Sequence, residues 1–200
     1  MPLQYAYPLR FRFKRFTLSP QFSVTDARGE PVAFAKQKLF KLREQVEVYR
    51  SDARDQRLYT IAADRWLDWS ASYAFADARG GQLLGRVARR GRRSIWKAHY
   101  DVFDAGGAHT FAIREESVVT RMLDGMFGDV PVLGLLSNYV FNPTYAVTRV
   151  GGEPVGAFTK VPSLTGSKFE LELSGEVSPT NETDIVLSLM MMVLLERDRG

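Results

Sequence analysis

The sequence predicts a mainly β domain: about twelve antiparallel strands closing into a barrel around a buried C-terminal helix. Three observations lead there. Ile185 to Leu195 reads IVLSLMMMVLL, a helix-length run with a single polar residue, Ser188. An apolar–x–apolar frame recurs along the chain at intervals of about 25 residues. Glycines follow the recurring segments where tight hairpins require them.

The apolar run fixes the centre. A surface helix shows polar positions every turn; one that is apolar all round must be buried all round. At about 1.5 Å per residue it spans roughly 16 Å, short of the roughly 20 apolar residues a bilayer core requires. It is therefore expected inside the domain, as a central helix over about 180–197, and the chain is not expected to be transmembrane. Ser178, Pro179, Thr180 and Glu182 supply N-cap and first-turn chemistry ahead of it.

The repeat supplies the wall. The frame runs Phe16, Leu18, Phe22, Val24, Asp26, then Phe40, Leu42, Val46, Val48, with Arg50 in the Asp place. It returns as Leu67, Trp69, Tyr73, Phe75, Asp77 and, with Ser94 in the first slot, as Trp96, Tyr100, Val102, Asp104. The third apolar residue falls at 22, 46, 73 and 100, steps of 24, 27 and 27 residues. A fifth copy is Tyr139, Phe141, Tyr145, Val147, and a weaker sixth Phe169, Leu171, Leu173. Alternation on both sides of a short turn is the period-2 signature of strands. Two strands in each of six copies give about twelve, and that many antiparallel strands close to remove their edges. A barrel of that width is too wide for its own side chains to fill, so the helix is expected to occupy it. The fourth and fifth copies stand 45 residues apart. Within this gap Val118, Val119, Met122, Leu123, Met126 and Phe127 have helical spacing, which predicts a helical insertion over about 115–137. The chain is otherwise read as one domain, 1–200.

Composition excludes several chemistries. The chain has no cysteine, so disulfides, thiolate metal sites and cysteine nucleophiles are absent. MPLQYAYPLRFRFKRF has no apolar h-region behind its charges, so no secretory signal is expected and the expected location is cytoplasmic, with peripheral membrane contact. His99 and His109, the two histidines, fall on neighbouring strands of one hairpin near Asp101 and Asp104; two histidines do not make a zinc site, and no nucleophile motif accompanies them. Thr165 to Lys168, TGSK, lacks the first glycine of a phosphate loop, Val161 standing there. No enzyme activity and no cofactor are expected; a calcium site has no motif behind it.

What remains is positive charge. The net charge is +4, carried by 20 Arg and 7 Lys among 27 basic residues. Arginine binds phosphate bidentately. Lys14, Lys38, Arg65 and Arg92 each stand two residues ahead of the frame in copies one to four, a spacing that would bring them to one rim of a barrel. The densest cluster, GRVARRGRR, holds Arg86, Arg89, Arg90, Arg92 and Arg93 and reads as a hairpin tip able to lie on anionic lipid. RFRFKRF alternates Arg10, Arg12 and Lys14 with Phe11 and Phe13, the pattern of an amphipathic strand, and also that of a base-stacking strand.

KQKLFKLREQVEVYR (Lys36 to Arg50), the recurring aromatic-x-Val-x-Asp-x-x-Gly hairpins and the terminal apolar helix together resemble the LURP-one-related family. That family belongs to the tubby-like and phospholipid-scramblase-like superfamily. The resemblance runs from about Leu9 to Leu195 and implies a twelve-stranded barrel threaded by a hydrophobic helix. It also implies membrane-associated roles, since tubby domains bind phosphoinositides through basic residues and scramblase-like members act at membranes with calcium. Neither set of residues maps one for one onto this chain. The expected function is binding of anionic lipid headgroups by a non-enzymatic module. Its rival is a structural or protein-interaction barrel using the apolar stretch 130–141, and nucleic-acid binding ranks behind both.

Overall fold

The computed structural model describes residues 4–14, 21–36, 45–64, 72–90, 99–116, 143–163, 166–174 and 176–197. Twelve strands follow one another: β1 (Leu9–Lys14), β2 (Gln21–Thr25), β3 (Pro31–Lys36), β4 (Val46–Tyr49), β5 (Arg57–Asp64) and β6 (Ser72–Asp77). The second half is β7 (Leu83–Arg89), β8 (His99–Asp104), β9 (His109–Glu116), β10 (Thr144–Arg149), β11 (Pro154–Val161) and β12 (Ser167–Leu173), after which comes one helix, α1 (Pro179–Arg197). Each strand pairs with its sequence neighbours, and β1 pairs with β12, so the barrel is closed. All its pairs are antiparallel, which short hairpins allow.

The recurring frame maps onto this plan. Its second apolar pair, from Phe22/Val24 to Tyr145/Val147, falls on the even-numbered strands β2 to β10, and Phe169 to Leu173 on β12. Its first pair in copies one to five lies outside the described residues. Gly29, Gly81 and Gly107 take φ of +86°, +65° and +84° in the turns. The aspartate before each supplies the cap: Asp26 Oδ1 accepts from the Arg28 and Glu30 amides, Asp77 Oδ1 from Arg79 and Gly80, and Asp104 Oδ1 from Ala108.

Period-2 alternation sends one face of every strand inward. Leu9, Phe11, Phe22, Val48, Ile61, Phe75, Val102, Ile113, Val147, Phe158 and Leu171 are buried and form one cluster with the helix. From Ile185 to Leu194 every helix residue is buried, Ser188 included. A helix covered around its whole circumference in a molecule with a single barrel lies within that barrel. The helix runs from Pro179 to Arg197: Ser178 Oγ accepts from the Asn181 amide at 3.3 Å as N-cap, and Pro179 takes the first helical position. No described helix is long and apolar enough to cross a membrane.

The chain start is strapped to the helix start. Glu182, fully buried, accepts from the Gln4 amide at 2.8 Å and from the Tyr7 hydroxyl at 2.7 Å. The expected helical insertion over 115–137 is corrected at its first two residues, since β9 continues through Glu116; antiparallel pairing of Glu115 and Glu116 with Tyr145 and Thr144 holds them extended. The remainder of that segment, and all but Pro143 of 117–143, lies outside the described residues.

Candidate functional site

Strand direction gives the barrel two unlike rims. One carries the tight turns after β2, β4, β6, β8 and β10 and the start of α1. At the other rim β1, β3, β5, β7 and β9 end. Lys14 is the last residue of β1 and so stands at this second rim. Lys38, Arg65, Arg92 and Arg93 lie outside the described residues. They follow β3, β5 and β7 in sequence by at most four residues, and those three strands end at the same rim as β1.

Register concentrates the described cations in one sector of that rim, across β12, β1, β2 and β3. Arg10, Arg12 and Lys14 alternate with the buried Phe11 and Phe13, as their spacing predicts. Arg10 stands opposite Glu170, with Nε 3.7 Å from Oε1. One step nearer the rim Arg12 stands opposite Lys168 instead, cation against cation. Their other neighbours are uncharged: Ser23 beside Arg12, and Val161 beside Lys168. In the next row Lys14 pairs with Gln21, which pairs in turn with Lys36. Directly opposed residues have Cα atoms about 4.5–5.5 Å apart, and like charges so placed are mutually destabilising. Among the described residues no carboxylate forms an ion pair with Arg12 or Lys168. The sector is a surface that an external anion would neutralise.

The GRVARRGRR cluster is divided by the fold. Its first five residues belong to β7, which corrects the hairpin-tip reading for Arg86 and Arg89. Gly85, Val87 and Arg89 alternate on the inward face, and Arg89 is buried with its guanidinium over the Tyr100 ring, 6.0 Å from the centroid. Arginine density hid this strand because its inward positions include a glycine and an arginine rather than a run of apolar residues. Arg90 follows the strand and pairs through Nε with Asp101 Oδ2.

Asp101 is the hub of a polar cluster on the outer wall of β8 and β9. His99 Nε2 and His109 Nε2 lie 3.2 and 3.3 Å from its Oδ1, and Arg114 Nε lies 3.3 Å from His99 Nε2. Both histidines thus lie beside Asp101 rather than Asp104. Burial pulls the His99 pKa below its ordinary value, outweighing the opposing attraction of Asp101, while Arg114 and Arg90 push it further down. Among the described residues no three histidines or carboxylates are grouped to hold a metal ion. Arg90 spends its charge on Asp101, whereas Arg12 and Lys168 have none opposite them.

Sequence reading assigned Arg12 only to a strand face and Lys168 only to an incomplete phosphate loop. Their meeting depends on the first and last strands pairing, which no local pattern reports.

The comparisons agree with this architecture. The model of a family described as LURP-one-related matches residues 9–121. The X-ray structure of a protein from Arabidopsis thaliana is similar over 94% of this chain and 91% of that one, with a TM-score of 0.51 and 15% sequence identity. At that identity the likeness concerns the fold. No curated protein matches the sequence.

Proposed function

This chain belongs to the LURP-one-related family, and on that premise we propose that it is a non-enzymatic module binding anionic lipid headgroups at the cytoplasmic face of a membrane. The observation that carries the proposal is the opposition of Arg12 and Lys168 at one rim, with no carboxylate directly beside either among the described residues and Lys14 in the adjoining row. A barrel that only needed a stable wall would place opposite charges across that pair, as it does one step away at Arg10 and Glu170. The cations Lys38, Arg65, Arg92 and Arg93 extend the reading, since the strands before them end at this rim. Arg89, buried, and Arg90, paired with Asp101, take no part in it.

Burial also weighs against base stacking. Phe11 and Phe13, the rings a nucleic-acid-binding strand would expose, are 0% and 3% exposed and pack inside the barrel.

Each basic residue held near an anionic leaflet contributes about 1 kcal/mol. Arg12, Lys14 and Lys168 together would contribute on the order of 3 kcal/mol, roughly a hundredfold in partitioning. The test is co-sedimentation with phosphatidylserine-containing vesicles for the wild type and the double variant Arg12→Ser, Lys168→Ser. A loss of about 30-fold in partitioning is expected, from about 2 kcal/mol. Unchanged partitioning by the double variant would remove this sector as the site.

A further inference from the structure

His99 opens β8 at the rim where Lys14 ends β1, and it stands in register with Arg114 of β9. We propose that His99 is a proton-operated switch on this rim: acidification turns its Nε2 from Arg114 to Asp101, releases the Arg114 guanidinium and strengthens binding to anionic lipid. The inference rests on the headgroup reading above and adds its regulation.

The hydrogen bonds assign the resting state. Arg114 Nε donates to His99 Nε2 at 3.3 Å, and a guanidinium can only donate, so Nε2 carries a lone pair and the hydrogen of the neutral ring lies on Nδ1. That same Nε2 is 3.2 Å from Asp101 Oδ1, which sets lone pair against lone pair. His109 does not relieve the contact, since its Nε2 faces the Phe111 carbonyl oxygen at 3.0 Å and spends its hydrogen there. Asp101 is 3% exposed, and its Oδ1 is left with no hydrogen-bond partner. A buried carboxylate oxygen without a donor is costly.

One proton resolves the conflict. On Nε2 it gives Asp101 Oδ1 the missing donor, in a charge-assisted bond. It also ends acceptance from Arg114 and sets imidazolium against guanidinium. Arg114 is exposed and has the uncharged Ala146 on its other side, so it can swing outward. Burial, opposed by Asp101 and helped by Arg114 and Arg90, lowers the His99 pKa, so the ring is neutral at about pH 7. Arg90 Nε stays on Asp101 Oδ2, and the other titratable groups at hand are His109 and, nearer the rim, Glu116 opposite Thr144.

The test has two readouts. Imidazole nitrogen NMR shifts of the full chain at about pH 7.5 should place the hydrogen of His99 on Nδ1 and that of His109 on Nε2, and acidification to about pH 5 should convert His99 to imidazolium. Sedimentation with phosphatidylglycerol vesicles, whose phosphodiester keeps its charge over that interval, should show wild-type partitioning rising about fivefold more than that of His99→Gln, the effect of one unit charge at an anionic leaflet. The glutamine can still accept from Arg114 but cannot take the proton. A His99 hydrogen on Nε2 at about pH 7.5, or an equal rise in His99→Gln, would overturn the switch and leave headgroup binding intact. No binding of the wild type to these vesicles at either pH would overturn the headgroup reading and its regulation together.

Discussion

A Cβ added to Gly85 would stand 2.9 Å from Asp184 Oδ1 and 2.6 Å from the Phe103 carbonyl oxygen. The strand gives up its side chain where the central helix presents its carboxyl, and the two positions are fitted to each other. Gly85→Ala should therefore destabilise the barrel by about 1–3 kcal/mol, the usual cost of overpacking. Truncating Asp184 should rescue it only in part, because the Phe103 carbonyl belongs to the β8 backbone and cannot withdraw. Urea midpoints for the two single variants and the double variant measure this coupling.

Asp184 should also impose a pH dependence on stability. Burial, chiefly, and the field of Asp104 raise its pKa from 3.8 to about 7. Between these values the unfolded chain has lost the proton and the folded chain retains it. Stability from this group is thus full below about pH 4 and falls as pH rises towards 7. The total is on the order of 4 kcal/mol at about 1.4 kcal/mol per pH unit. Asp184→Asn should flatten the stability profile between pH 4 and 8 and raise the melting temperature at pH 8.

Tyr7→Phe should cost about 1–3 kcal/mol, because it removes the hydroxyl donor from the fully buried Glu182 and leaves an oxygen of that carboxylate unsatisfied. Burial raises the Tyr7 pKa most, with the Glu182 hydrogen bond adding to it. Burial also pushes Tyr5 up to about 12, with Tyr59 and Glu182 adding to it. An ultraviolet pH titration should accordingly show both phenols ionising after the exposed tyrosines, and Glu182→Gln should bring Tyr7 down towards its ordinary value.

Shortening the central helix side chains should act through the whole wall. Leu189 and Met190 are fully buried in the cluster that joins the helix to the strands. Leu189→Ala should cost about 2–5 kcal/mol, set by how far the barrel can close on the cavity. Equilibrium denaturation measures it, and a cost below 1 kcal/mol would mean the helix is not packed tightly within the wall.

Much of this architecture was legible because its signals are local. The apolar run from Ile185 to Leu194, broken by Ser188 alone, leaves no polar stripe for a surface, and all of it is buried. The alternation at Phe22/Val24 or Tyr100/Val102 needs only neighbouring residues to declare a strand, and Asp26 and Gly29 declare the turn that follows. The site was less legible because it depends on register between distant segments. Arg12 and Lys168 are far apart in sequence and become neighbours only when β1 closes on β12. Charge density was a poorer guide than charge placement. Arg89, in the richest basic cluster, is spent inside the barrel over Tyr100, and Arg90 is spent on Asp101. Asp184 escaped notice for the opposite reason: one acid at the head of a helix reads as first-turn chemistry.

The most direct measurement is flotation of the wild-type chain with neutral and with anionic vesicles, at low and at near-physiological salt. Binding confined to anionic vesicles and weakened by salt is the expected result, because the sector around Arg12 and Lys168 attracts through exposed charge. Failure to float with anionic vesicles at low salt, or equal flotation with neutral ones, would contradict headgroup binding as the function of this barrel.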